Sequence, residues 1–283
     1  MNTRKVGRTG FELTEYGLGA WALGGVRYGA MDTETGVAIC RRYVELGGNF
    51  IDTARVYGDS EDVIGTYLKE AGNRQSLHIA SKTFAGQAAD TLADIRKDLE
   101  TSLSKLRTSY LDIYFLHQPP EEQSVIDDAL GIMEELKGEG KIRSIGASIK
   151  GPNVTSATEE LWRRYIATGL VDVIQLVYSI LRRKLGAVIA EAERAGVGIV
   201  ARTSLESGLL SGKYKPGHRF TGQDHRTRYK PENLDFILEK VQELQGRVVR
   251  PPYESLPQVA MNFSRSHPGV TTTIVGATSV RQV

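Results

Sequence analysis

Leu77-His-Ile-Ala-Ser-Lys82, then Asp90 to Leu106, then Leu111-Asp-Ile-Tyr-Phe-Leu-His117 is the stretch that decides the fold. Its outer runs are short and mostly apolar, as strands buried on both faces are. Between them Leu92, Ile95, Leu99, Leu103 and Leu106 recur at steps of three and four, one face of a helix, with Asp90 placed to cap its amino end. Strand, helix and strand in that order make a βαβ unit, which requires parallel pairing and a right-handed crossover.

The same beat extends both ways. Strands are predicted at Tyr16 to Trp21, Asn49 to Thr53, Ser144 to Ile149, Val173 to Tyr178, Gly198 to Arg202 and Thr271 to Val275, eight in all with the first two. Helices are predicted to start near Thr33, Ser60, Val125, Val154, Lys184 and Glu232. The strand ends, tagged Trp21, Asp52, Lys82, His117, Ser148, Gln175, Arg202 and Val275, are 31, 30, 35, 31, 27, 27 and 73 residues apart. Near-even steps favour eight equivalent units in a ring over an open doubly wound sheet. The expected fold is α/β, a single (β/α)8 TIM barrel over residues 1–283, and the last, long step holds two helical patterns and a basic insertion from Lys213 to Lys230. Only Gly276 to Val283 follow the eighth strand, too short a segment for the helix that should cover it, so an eighth helix is expected to be missing from the sequence.

The chain has 36 Lys and Arg against 34 Asp and Glu, a net charge of +2, and this balance disfavours nucleic acid and anionic membranes as partners. The amino terminus lacks an apolar signal region, and no run of about 18 apolar residues occurs to span a membrane. Cys40 is the only cysteine, which excludes an internal disulfide and suits a reducing compartment, so the cytoplasm is the expected location.

Familiar motifs fail their context tests. Gly17-Leu-Gly19-Ala-Trp-Ala22 fits a dinucleotide fingerprint, but a loop rather than a helix is predicted after it. Gly208-Leu-Leu-Ser-Gly-Lys213-Tyr is one residue short of a P-loop and has Tyr where Ser or Thr should bind magnesium. The five histidines show no metal-binding spacing, and no G-x-S-x-G elbow occurs. What remains is a polar set at strand ends on one face of the barrel: Asp52, Tyr57 five residues beyond it, Lys82 and His117. A free phenol, with a pKa near ~10, is a reluctant acid at neutral pH. The ammonium of Lys82 would stabilise its phenolate, Asp52 would keep that lysine charged, and His117 would orient a substrate carbonyl.

With these residues assembled, the sequence resembles the aldo-keto reductase family along nearly its whole length. The likeness is carried by Gly-Leu-Gly-Ala-Trp (17–21), Asn-Phe-Ile-Asp-Thr-Ala-Arg-Val-Tyr-Gly-Asp-Ser-Glu (49–61), Ser-Lys-Thr (81–83), the stretch ending Tyr-Phe-Leu-His (102–117), Gly-Lys-Ile-Arg-Ser-Ile-Gly-Ala-Ser (140–148), Gly-Leu-Leu-Ser-Gly-Lys-Tyr (208–214) and Ile-Val-Gly-Ala-Thr (274–278). The resemblance implies an amino-terminal β-hairpin, Arg4 to Thr14, closing the barrel bottom, and metal-free reduction of an aldehyde or ketone with NADPH or, less often, NADH. It implies Tyr57 as general acid, tuned by Lys82 and Asp52, with His117 orienting the carbonyl and Trp21 beside Tyr57 and His117 in the substrate pocket. It implies that Ser148 and Gln175 hold the nicotinamide carboxamide and that Ser204, Leu205, Gly208, Leu210 and Lys213 hold the pyrophosphate. Gly19, Ala20, Trp21, Arg202, Gly276, Ala277, Thr278 and Gln282 complete the implied cofactor contacts.

Three places depart from the family pattern. Ile149 stands where many members have Asn, Arg202 where an aromatic ring often stacks on nicotinamide, and Gly276 to Gln282 lack the Lys-Ser pair used for a 2′-phosphate, leaving Arg281 or an unseen downstream residue as a substitute. The alternative reading is a nucleotide-binding regulatory or interaction subunit, as in potassium-channel β-subunits, which an intact tetrad does not exclude. A sugar-isomerising or hydrolytic barrel would need paired carboxylates or metal ligands at strand ends, and neither is assembled here. No oligomeric state is written in the sequence.

Overall fold

The computed structural model describes residues 1–26, 28–85, 88–149 and 154–283. Its first elements, β1 (Thr3–Lys5) and β2 (Glu12–Thr14), pair antiparallel as a hairpin. There follow β3 (Tyr16–Gly19), α1 (Thr33–Glu45), β4 (Phe50–Asp52), α2 (Ser60–Ala71), β5 (His78–Thr83), α3 (Asp94–Leu106), β6 (Ile113–His117), α4 (Gln123–Gly138), β7 (Ile145–Ser148) and α5 (Ser156–Ala167). The chain ends with β8 (Val173–Val177), α6 (Gly186–Arg194), β9 (Gly198–Arg202), α7 (Pro231–Val248), α8 (Leu256–Ser266) and β10 (Thr272–Val275). Strands β3 to β10 pair in parallel, each with the next, and β10 returns to β3, closing the eight-stranded barrel that the spacing predicts.

Closure follows from what the strands carry inside. Phe50, Ala80, Ile113, Phe115, Val173 and Val200 form one fully buried cluster in the lumen. Large rings fit because small residues face them: a Cβ on Gly17 would lie 2.6 Å from the Phe50 ring, and one on Gly146 only 2.3 Å from the Phe115 ring. Such interlocking of large and small side chains is how a small barrel fills its interior. Val6 and Leu13 of the hairpin join this cluster with no exposed surface, and the Arg8 amide donates to the Gly196 carbonyl at the amino-terminal side of β9. The hairpin is therefore the plug at the bottom, and the carboxy-terminal ends of the strands are left as the open face.

Two local expectations change. α3 starts at Asp94, and Asp90 lies in a separate 3-10 turn, Ala89–Thr91, so it does not cap the helix. The Thr91 hydroxyl and amide both bond the Ala88 carbonyl, a local turn that competes with helix propagation. Ile95, Leu99, Leu103 and Leu106 are buried as the stripe requires, while Leu92, outside the helix, is only partly so. Likewise β3 ends at Gly19 rather than at Trp21, and a short 3-10 helix, Ala20–Gly24, takes in Ala20 and Trp21, predicted as strand, with the start of the predicted loop. Residues 276–283 form no helix after β10.

Candidate active site

Strand ends bring the polar set together. Asp52 closes β4, Lys82 is the penultimate residue of β5, and His117 closes β6. Lys82 is completely buried, and its Nζ donates to Asp52 Oδ1 at 2.6 Å and to the Thr53 carbonyl at 2.7 Å. The same Nζ lies 5.1 Å from the centre of the Tyr57 ring. A buried ion pair of this kind survives desolvation only because both charges are matched and hydrogen-bonded.

Tyr57 is held by backbone rather than by its ring. A Cβ on Gly24 would sit 1.7 Å from the Tyr57 carbonyl oxygen, and one on Gly58, where φ is +56°, would sit 2.2 Å from the Gly24 oxygen. No other residue type permits that approach, so the turn carrying Trp21 and the loop carrying Tyr57 are locked together. Below them the Thr53 and Ser60 hydroxyls bond each other, and Ser81 Oγ donates to the buried Glu61 at 2.6 Å, tying the start of α2 to β5.

Burial pushes the Tyr57 phenol above its ordinary value; the positive charge of Lys82 pulls it down but does not prevail. This modifies the expectation that the ammonium makes the phenol a stronger acid outright. The group keeps its proton at neutral pH, and the attraction of Lys82 is felt by the phenolate once that proton has gone. Burial, with the charges of Lys82 and Arg202, pushes the His117 imidazole down to about 3. The Phe84 ring stacks on it with centroids 4.3 Å apart, and Tyr57 meets it edge-on at 6.0 Å. His117 is therefore expected to stay neutral, showing no NMR titration between about pH 5 and 8, where an ordinary imidazole titrates; an inflection near the usual histidine value would contradict this. Because the folded value is depressed, the unfolded chain takes up this proton first, so the contribution of His117 to stability falls as pH drops through the unfolded value toward the folded one.

Across the mouth, Gln175 Nε2 donates to Asp52 Oδ2 at 2.8 Å, and Ser148 Oγ donates to Gln175 Oε1 at 3.3 Å. Ser148, Gln175, Asp52 and Lys82 thus form one hydrogen-bonded chain. Arg202, half-buried at the end of β9, donates from Nη2 to the Ile149 carbonyl at 2.7 Å. Beyond β9, the Ser204 hydroxyl is buried with no partner among the described residues, and Thr203, Glu206, Ser207 and Gly208 take left-handed backbone conformations. Such turns can aim successive amides at an anion. Gly19, Ala20 and Trp21 leave β3 beside Gly276, Ala277 and Thr278, which leave β10. Gln282 accepts from the Thr278 amide at 2.7 Å, folding that segment on itself.

Not every expected contact lies at this mouth. Leu210 is fully buried among Val241, Leu256 and Ala260, and its amide donates to the Leu205 carbonyl, so it packs the α7–α8 side and has neither side chain nor amide free for a cofactor. The Gly208 amide is spent on the same carbonyl, Leu205 leans on that apolar cluster, and Lys213 is exposed beside the Tyr214 ring. The basic Lys213 to Lys230 stretch is mostly exposed but pinned at particular residues. Arg226 is buried against Asp224 at 2.6 Å and lies 4.1 Å from the Phe220 ring centre, and Arg219 pairs with Asp235 at 2.7 Å. His225 then reaches the mouth, its ring 4.6 Å from those of both Trp21 and Tyr28. Phe84, Tyr28, His225 and Gly24 escape sequence reasoning. Phe84 alone had a signal, as an aromatic residue two places after the strand-end lysine. Among the described residues no His, Cys, Asp or Glu cluster could hold a metal, and no helix is long and apolar enough to cross a membrane.

The model of the aldo/keto reductase family matches residues 15–283. The chain belongs to that family. It is 29% identical over 289 residues to the aldo-keto reductase YhdN of Bacillus subtilis (strain 168), a match covering 98% of this chain and 85% of that protein. It is 28% identical over 305 residues to the NADH-specific methylglyoxal reductase of Escherichia coli (strain K12), covering 98% and 90%. The solved glycerol dehydrogenase AKR11B4 from Gluconobacter oxydans superposes with a TM-score of 0.82 at 26% identity, covering 99% of this chain and 88% of that one. As an aldo/keto reductase the chain is an oxidoreductase that works with a nicotinamide cofactor on small carbonyl compounds.

Proposed function

We propose that this aldo/keto reductase reduces an aldehyde or ketone to an alcohol with NADPH, Tyr57 giving the proton to the carbonyl oxygen. The observation that carries the reading is the buried Lys82 ammonium, fixed by Asp52 and Thr53 and facing the Tyr57 ring at 5.1 Å. Bound nicotinamide supplies the hydride; the residues present suit it, since the buried Ser204 hydroxyl lacks a partner among the described residues and the turn after it offers left-handed backbone. His117, neutral, donates a hydrogen bond to the substrate oxygen and so fixes the carbonyl between its ring and the phenol. As the carbon receives hydride, negative charge grows on that oxygen and draws the Tyr57 proton. Lys82 stabilises the phenolate left behind, and Asp52, steadied by Gln175, keeps Lys82 charged and aimed. Trp21, with Tyr28 and His225 around it, forms the apolar wall of the substrate pocket. Ser148 and Gln175 are proposed to hold the carboxamide, and Ser204 the pyrophosphate.

For a 2′-phosphate, Arg281 is exposed and makes no ion pair among the described residues, so it is the cation we assign there. The proposed location is the cytoplasm, consistent with a single, buried thiol at Cys40. A fluorescence titration tests the cofactor assignment. Of the two tryptophans, Trp21 lies 6.1 Å from Tyr57 whereas Trp162 is buried in the outer core. NADPH should quench emission and bind about tenfold or more tightly than NADH, one phosphate-arginine contact being worth roughly that much. Trp21→Phe should remove most of the quenching. Equal affinities would remove Arg281 from the reading, and no response to either nucleotide would remove the reading itself. Turnover of a carbonyl panel separates it from a binding-only regulatory role.

A further inference from the structure

Charge at the mouth is unevenly balanced. Asp52 and Lys82 neutralise each other at 2.6 Å, and His117 is uncharged at neutral pH. Arg202 is the cation left over: no carboxylate lies within ion-pairing distance of it among the described residues. Its nearest carboxylate along the chain, Glu206, is taken by Arg182 at 2.8 Å.

The placement of the guanidinium is as telling as its charge. Arg202 ends β9, yet its Nη2 bonds the carbonyl of Ile149, the residue just after β7. β8 runs between those two strands, so the side chain crosses β8, whose central residue Gln175, predicted as a strand end, pairs with Ser148 on one side and Val200 on the other. A contact from Nη1 to Thr203 Oγ1 at 3.4 Å holds the fork from the residue that follows β9. Two neutral polar acceptors anchor it, and neither quenches its charge. That charge depresses the His117 imidazole and pulls on the Tyr57 phenol, so it reaches the reacting groups.

We propose that Arg202 makes this site discriminate between the two redox states of its cofactor, admitting the reduced form and expelling the oxidised one. The proposal rests on the reading that Ser148 and Gln175 hold the nicotinamide carboxamide. In the reaction a carbonyl, a reduced nicotinamide and a proton become an alcohol and an oxidised nicotinamide. The reduced ring is neutral and the oxidised ring carries a positive charge, so only the second is repelled by a fixed guanidinium across β8. An aromatic residue at this position would carry no such bias. The consequence is ready release of spent cofactor, gained against a hydride transfer that the same charge opposes, since positive charge develops on the ring as hydride leaves it. Arg202 is a positioning and selectivity residue in this account; proton transfer belongs to Tyr57.

Dissociation constants for NADPH and NADP+, measured by calorimetry at one ionic strength, test it on the wild-type chain, Arg202→Gln and Arg202→Lys. Two unit charges several ångströms apart at a protein-like dielectric change affinity by roughly 10- to 100-fold. Wild type should bind NADPH more tightly, Arg202→Gln should shrink that preference about tenfold or more by tightening NADP+, and Arg202→Lys should retain most of it. Arg202→Met, equally uncharged and of similar length, takes the place of Arg202→Gln if that variant does not fold. A preference within about twofold of wild type in the uncharged variant overturns the role of Arg202 while leaving the nicotinamide site standing. A wild-type chain that binds neither nucleotide overturns the cofactor reading and this proposal with it.

Discussion

Tyr57→Phe is expected to lower the rate of carbonyl reduction by about 10²- to 10⁴-fold, the usual worth of a positioned general acid. Affinity for the nicotinamide cofactor should change little, because the hydroxyl removed faces the substrate oxygen in this account and the loop is held elsewhere. That loop keeps its path through the Gly24 and Gly58 backbone contact and the Ser81 to Glu61 bond, none of which involves the phenol. Stopped-flow reduction with saturating cofactor reads the chemical step, and a titration of the same variant reads binding. Loss of both together would point to a collapsed loop; loss of neither would remove Tyr57 from the mechanism.

Lys82→Met should cost both activity and stability. The side chain is completely buried, and its removal leaves the Asp52 carboxylate in the lumen with Gln175 as its remaining side-chain donor among the described residues. Breaking one half of a buried pair typically costs about 3–5 kcal/mol, which urea unfolding resolves easily as a shifted midpoint. Adding Asp52→Asn removes the stranded charge, so the double variant should regain a large part of that stability. It should regain none of the activity, because the stabiliser of the phenolate is still missing. An unchanged midpoint in Lys82→Met would mean that the pair is better solvated than its burial indicates, and recovered turnover in the double variant would dissociate Lys82 from Tyr57.

Why the barrel was legible and parts of its mouth were not has a physical basis. Parallel strands buried on both faces announce themselves as short apolar runs, and the chain must place a helix between each pair, so the repeat survives in one dimension. Strand-end residues such as Asp52, Lys82 and His117 inherit that legibility, since the period that locates the strand also locates its last side chain. Their family pattern adds roles to positions already singled out. Asp90 illustrates the opposite case: a good capping residue lost its helix to a turn closed by Thr91, a local competition that composition does not weigh. Leu210 sits inside a motif that matches well, yet three-dimensional packing turns it toward Val241 and Leu256. His225 had no chance of being found, because it belongs to a long insertion whose path over Trp21 is set by the Arg226 and Asp224 pair and the Phe220 ring. The direction of the Tyr57 shift also escaped, since it depends on how far burial outweighs a neighbouring charge, a quantity that only coordinates supply.

The partition of labour between a hydride-supplying nucleotide and a proton-supplying phenol is tested most directly by single-turnover reduction of a reactive aldehyde with cofactor dideuterated at nicotinamide C4, comparing the wild-type chain with Tyr57→Phe. One deuterium is expected on the carbinol carbon of the wild-type product, and in the variant the same product should form about 10²- to 10⁴-fold more slowly. An alcohol without carbon-bound deuterium, or equal rates in the two proteins, would contradict it.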